Sequence, residues 1–115
     1  MEQHIYPGVS RDLAEKRREL APEIYGAIRT FGQRVFADGA LPSKTKQLIA
    51  VAVAHVTQCP YCIRGHTDLA LKEGAAEKEI MEAIWVAAEM RAGAAYAHSI
   101  LAIDAMNHAA AKPGA

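Results

Sequence analysis

Leu48-Ile49-Ala50-Val51-Ala52-Val53-Ala54-His55-Val56 runs directly into Thr57-Gln58-Cys59-Pro60-Tyr61-Cys62-Ile63-Arg64-Gly65-His66. The first run is rich in β-branched residues, which suit a strand. It does not alternate apolar with polar, however, and no second strand candidate follows to pair with it. A polar first turn, Lys44-Thr45-Lys46-Gln47, precedes it, with Ser43 as N-cap. The pattern therefore predicts a helix over about 44–56, apolar on nearly all faces and hence buried. Pro60 fits the first turn of the next helix, because its missing N–H has no intrahelical partner there anyway. Gly74 suits the left-handed position that ends that helix.

Working outward, residues 1–9 read as an irregular arm broken at Pro7-Gly8. Ser10 can cap a charged, solvated helix over Arg11 to Leu20. Pro22 opens a second helix that Gly39 ends, with Ile24, Ile28, Phe31 and Val35 on one face. That stripe reads as core or subunit contact. A further helix starts near Ala76 and carries Ile80, Ile84, Trp85 and Ala88. Another run, Ala94 to about Ala109, carries Tyr96, Ile100, Leu101 and Ile103. Gly93 between the two runs is a kink, a break or a close helix contact, and all three stay open. Lys112-Pro113-Gly114-Ala115 reads as a frayed tail. The fold class is all-α.

The 115 residues suffice for one domain, 1–115, with a core over about 22–110. Thirteen basic and thirteen acidic side chains cancel. No basic excess draws the chain to nucleic acid or to an anionic membrane surface, so neither is expected as a partner. Leu48 to Val56 is too short to span a bilayer and contains His55. The N-terminus has no apolar run of signal-peptide length, and the expected location is the cytoplasm. Half the residues are hydrophobic, yet aromatics are few and alanine abounds. Small helices that are apolar on several faces find more burial by self-association, so a homo-oligomer is expected.

Two cysteines are too few for a secreted disulfide framework, and Cys-x-x-Cys in such a chain points to redox or metal chemistry. With Pro60 at the first helical position, Cys59 sits at the N-cap and Cys62 in the first turn. Free N–H groups and the positive helix end stabilise a thiolate there. Three-residue spacing puts both sulfurs on one face, within reach of a disulfide. His66 lies one turn beyond Cys62, placed to take its proton or to protonate a leaving group. The helix end favours Cys59 as the activated thiol; the nearby base favours Cys62, which we take. Two alternatives compete. The cysteines can be inert and buried. Or His55, Cys59, Cys62 and His66 can hold a tetrahedral zinc. Against zinc, Pro60 separates His55 onto another helix, so no metal is expected. Nothing resembles a Gly-rich phosphate loop, so no organic cofactor is expected.

Residues from about Leu41 to Ala105 resemble the carboxymuconolactone decarboxylase family, in its alkylhydroperoxidase AhpD-like branch. The resemblance is carried by Leu41-Pro42-Ser43-Lys44-Thr45-Lys46-Gln47-Leu48-Ile49-Ala50, by Cys59-Pro60-Tyr61-Cys62 with His66, and by Gly74-Ala75 and Ala83-Ile84. It implies an AhpD-like helical domain of about six helices, assembled as trimers or hexamers. It implies peroxide reduction or disulfide reductase activity. In the family the histidine activates the second cysteine, the first forms a disulfide with it, and a thiol or dithiol reductant restores both. Those roles map onto His66, Cys62 and Cys59. The chain departs from the AhpD-like pattern twice. Gln47 stands where that pattern has a glutamate, and an amide can orient a ring but cannot accept its proton. Tyr61 stands where the pattern has a histidine.

Glu89, among Trp85, Val86, Ala87, Ala88 and Met90, is a candidate replacement carboxylate; the alternatives are a pair with Arg91 or Arg64, or a side chain that simply faces water. His98 can line the same cavity from the last helix, or simply pack. His55 can act as a second base, or be solvated at a helix end. His4 and His108 read as tail residues and carry no argument.

The expected function is thus a thiol-dependent antioxidant oxidoreductase that reduces a peroxide through Cys59 and Cys62. The alternatives are a redox-sensing or small-molecule-binding module without turnover and, more remotely, a cysteine-independent lyase of the decarboxylase type.

Overall fold

The computed structural model describes residues 5–112, and these form five helices with no strand among them. They are α1 (Arg11–Leu20), α2 (Pro22–Phe36), α3 (Ser43–Thr57), α4 (Pro60–Lys72) and α5 (Glu77–Ala111). His4 and the tail beyond Lys112 lie outside the described residues.

The termini follow local chemistry. Ser10 caps α1, its Oγ accepting the Leu13 N–H at 3.2 Å. Glu15 and Arg18 pair on the exposed face of α1 at 3.1 Å. Pro22 and Pro60 open their helices as expected. Ser43 does not cap α3; it is the first helical residue, and Pro42 holds the cap position. Asp38 takes over the role, because its Oδ1 accepts the Ser43 N–H at 2.6 Å. Helix α2 stops at Phe36, three residues before Gly39. There Lys46 Nζ donates to the carbonyls of Val35 and Ala37, at 2.8 and 2.7 Å. A cation from α3 thus satisfies the negative end of α2, while an anion following α2 satisfies the positive end of α3.

Gln58 ends α3 in the left-handed conformation, φ 58° and ψ 46°. That conformation disfavours a side chain. Gln58→Gly is expected to stabilise the fold by about 1 kcal/mol, read as a rise in thermal midpoint. Gly74, at φ +92°, follows α4 where glycine is suited. At the start of α5, Glu79 Oε1 accepts the Ala76 N–H at 2.8 Å and pairs with Lys44 Nζ at 3.0 Å. The backbone bond first, and then Lys44, hold its carboxyl below the ordinary value.

The runs on either side of Gly93 are one continuous helix of 35 residues, about 52 Å long. Neighbouring alanines, the best helix formers, offset the glycine's cost of about 1 kcal/mol. His108 belongs to the last turn of α5 rather than to a tail.

The buried cluster is small: Val51, Ala70, Ala75 and Ile80, with Leu48 and Ile84 packed against it, where α3, α4 and α5 meet. The expected burial of α3 holds only on this side. Val51 is 0 % exposed, whereas Ile49 and Val53 on other faces are half exposed. The reason is geometric: α4 and α5 both pack against one side of α3. The α2 stripe is open too, with Phe31 67 % exposed, as is distal α5, with Tyr96 84 % exposed. The radius of gyration is 20.7 Å, against about 13 Å for a compact chain of this size. Among the described residues no helix is long and apolar enough to cross a membrane.

Candidate functional site

The site is assembled at the start of α4, where the loop after Gln58 turns the chain back onto α3. Cys59 is the N-cap, in extended conformation, and its Sγ accepts the Cys62 N–H at 3.2 Å. Partial positive charge at a helix start favours negative charge on sulfur. Cys59 and Cys62 are joined as a disulfide, with Cα atoms 5.2 Å apart. The loop they close is so short that the chain-entropy gain is only about 2 kcal/mol.

His66 is one turn further along α4, and two groups hold its ring. Its Nδ1 lies 2.7 Å from Gln47 Oε1, an amide oxygen that can only accept. In the neutral ring Nδ1 therefore carries the proton and the lone pair is left on Nε2, the tautomer suited to act as a base. Gln47 is 4 % exposed, so its side of this part-buried bond is shielded from water. Phe36, from the end of α2, stacks on the imidazole at 5.0 Å with 27° between planes.

Cys62 and His66 share the wall of a cavity of about 400 Å³ with Lys46 and with apolar residues that include Val35, Phe36, Ile49 and Val53. That volume suits a small organic molecule. Cys59 does not line it. The two cysteines, which spacing leaves open as alternatives, are thereby made inequivalent: the Cys62 position adjoins the cavity. Val35, expected to serve only as core or subunit contact, contributes to the cavity wall.

The other candidate residues lie elsewhere. Tyr61 is turned away from this cavity, edge-on to Tyr6 at 6.0 Å. His55 Nδ1 is 2.7 Å from the Val51 carbonyl and donates to it within α3. Glu89 is exposed on α5, folded over Gly93. Arg91 donates to the Val56 carbonyl at 2.9 Å, fastening α5 to the end of α3. His98 is exposed on distal α5. Among the described residues no three His, Cys, Asp or Glu side chains converge as a metal site.

Phe36 and Lys46 belong to this neighbourhood and were not singled out by sequence. Phe36 lies beside the apolar stripe of α2 rather than on it. Lys46 looks like any solvated lysine in a first turn. The nearest signal was its place next to Gln47.

The chain is 58% identical over 101 residues to "Uncharacterized protein 4 in cox locus" of Paracoccus denitrificans, covering 88% of this chain and 90% of that protein. It is 41% identical over 92 residues to an uncharacterized protein of Cupriavidus necator, covering 77% and 81%. Among solved structures it is similar to an apo carboxymuconolactone decarboxylase family protein from Legionella pneumophila: TM-score 0.64, 38% identity, 67% of this chain and 69% of that one. It is similar as well to a protein from Methanobacterium thermoautotrophicum: TM-score 0.68, 36% identity, 72% and 93%. The family model described as "Carboxymuconolactone decarboxylase family" matches residues 22–105, well over half of the sequence, and the chain belongs to that family.

Proposed function

We propose that the protein is a thiol-dependent oxidoreductase of the AhpD-like type, reducing an organic peroxide through Cys62 and Cys59. The observation that carries this is the shared cavity wall of Cys62 and His66, with the His66 tautomer set by Gln47. In the reduced form His66 takes the Cys62 proton. The thiolate attacks the distal peroxide oxygen, the O–O bond breaks, and the alkoxide leaves as an alcohol with that proton. Cys62 becomes a sulfenic acid. Cys59 condenses with it, forming the disulfide and releasing water. An external dithiol, oxidised to its own disulfide, returns both cysteines to thiols. These steps use no organic cofactor and no metal.

The test is consumption of cumene hydroperoxide with a dithiol donor. Turnover well above that of a Cys59/Cys62 double serine variant is expected; equal rates would dismiss peroxide reduction.

A second reading is favoured by one observation. Gln47 bonds His66 but cannot relay its proton onward. A redox-sensing module, switching between dithiol and disulfide without rapid turnover, would tolerate that. Ligand binding or assembly that differs between the two redox forms would favour it.

We further propose a cytoplasmic homo-oligomer, a trimer or hexamer. The open apolar faces of α2 and distal α5 support self-association, since patches of that extent rarely stay in water. Light scattering is expected to give a multiple of the 12.4 kDa chain mass; a monomer at micromolar concentration would refute it.

A further inference from the structure

We propose that Lys46 is a positioning residue for His66, acting through Phe36. The residue before Gln47 would thus hold the same imidazole that Gln47 holds, by a second route.

Lys46 Nζ donates to the carbonyls of Val35 and Ala37, the two residues that flank Phe36. These carbonyls belong to the end of α2, where oxygens lack intrahelical partners and the helix is negative. The ammonium therefore grips the backbone on both sides of Phe36. The Phe36 ring in turn lies on His66, at 5.0 Å and 27°. Phe36 is half-buried and no residue of α2 is fully buried, so packing holds the end of the helix less firmly than a buried core would. The other tie is the Asp38–Ser43 bond, which anchors the loop rather than Phe36 itself.

The result is an imidazole held in its plane by Gln47 and across its face by Phe36. Consecutive residues at the start of α3 control both restraints. A lysine suits this task better than a neutral residue, because a charged donor bonds carbonyls more strongly and complements the helix end. The consequence for rate rests on the peroxidase reading, in which His66 is the base. The placement of the ring does not.

The experiment uses the full chain and compares Lys46→Met, Lys46→Arg, Phe36→Leu and the Lys46→Met/Phe36→Leu pair. The first readout is the NMR shift of the His66 ring protons, which a stacked phenyl ring moves upfield. Lys46→Met is expected to lose most of that displacement, and Lys46→Arg to keep most of it. The double variant should match Phe36→Leu alone, since a residue acting through Phe36 has nothing further to lose. The second readout is the rate of Cys62 oxidation by cumene hydroperoxide, expected to fall roughly ten-fold in Lys46→Met through misplacement of the base. An unchanged His66 signal in folded Lys46→Met overturns the proposal. So do additive effects in the double variant, which would place Lys46 directly on substrate or thiol. If the protein reduces no peroxide, the rate arm is blank and the NMR arm still reads the positioning.

Discussion

Cys62→Ser is expected to reduce peroxide consumption to the rate in buffer, a loss on the order of 10⁴-fold or more. Cys59→Ser should behave differently. The hydroxyl of serine is no nucleophile at neutral pH without a thiolate's polarisable charge, so whichever cysteine attacks the peroxide cannot be replaced. Cys62 adjoins the cavity and Cys59 does not. The Cys59→Ser protein should therefore still react once. One equivalent of peroxide should add one oxygen to Cys62, and the product should persist because no second thiol is present to displace water. Serine is also a good N-cap, so this substitution should leave α4 intact and the comparison clean. The check is thiol titration with intact-protein mass before and after one equivalent of cumene hydroperoxide. The reverse pattern, with oxygen trapped on Cys59 in Cys62→Ser, would exchange the two roles.

The second large effect is at Gln47. Replacing it by glutamate keeps an oxygen 2.7 Å from His66 Nδ1 and adds a negative charge where Gln47 is 4 % exposed. A carboxylate in that position is expensive unless His66 carries a second proton, so the variant drives the imidazole to hold one. In practice His66 takes the Cys62 proton more completely. Cys62 alkylation by iodoacetamide near neutral pH should accelerate by about 10- to 100-fold, within the range of positioned acid–base groups. The gain should shrink as pH rises, since the thiol then ionises without help. Gln47→Leu is the matching control. It removes the acceptor, leaves the Nδ1–H of His66 without its partner, and should cost about 1–3 kcal/mol of stability together with a slower alkylation. If Gln47→Glu is no faster than wild type, proton transfer to His66 does not limit the thiol, and the redox-sensing reading gains.

These expectations also mark how far the amino-acid order reaches. Helical class, the proline starts of α2 and α4, the capping of α1 by Ser10 and the grouping of Cys59, Cys62 and His66 on one helix were all legible in it. Each depends on interactions within about four residues, which helix geometry makes regular. Gly93 was ambiguous because a helix can absorb one glycine or break at it, and the alanines around it tip the balance. Partners farther apart were not legible. Gln47 and His66 are 19 residues apart and meet only because α3 and α4 pack side by side. Phe36 reaches His66, and Lys46 reaches Val35 and Ala37, because the turn after α2 brings its end against the start of α3. Nor could spacing say which cysteine adjoins a cavity, since a cavity exists only between packed elements. The sequence supplied a thiol pair with a base one turn away; packing supplied the tautomer of that base, the ring stacked on it and the cavity beside it.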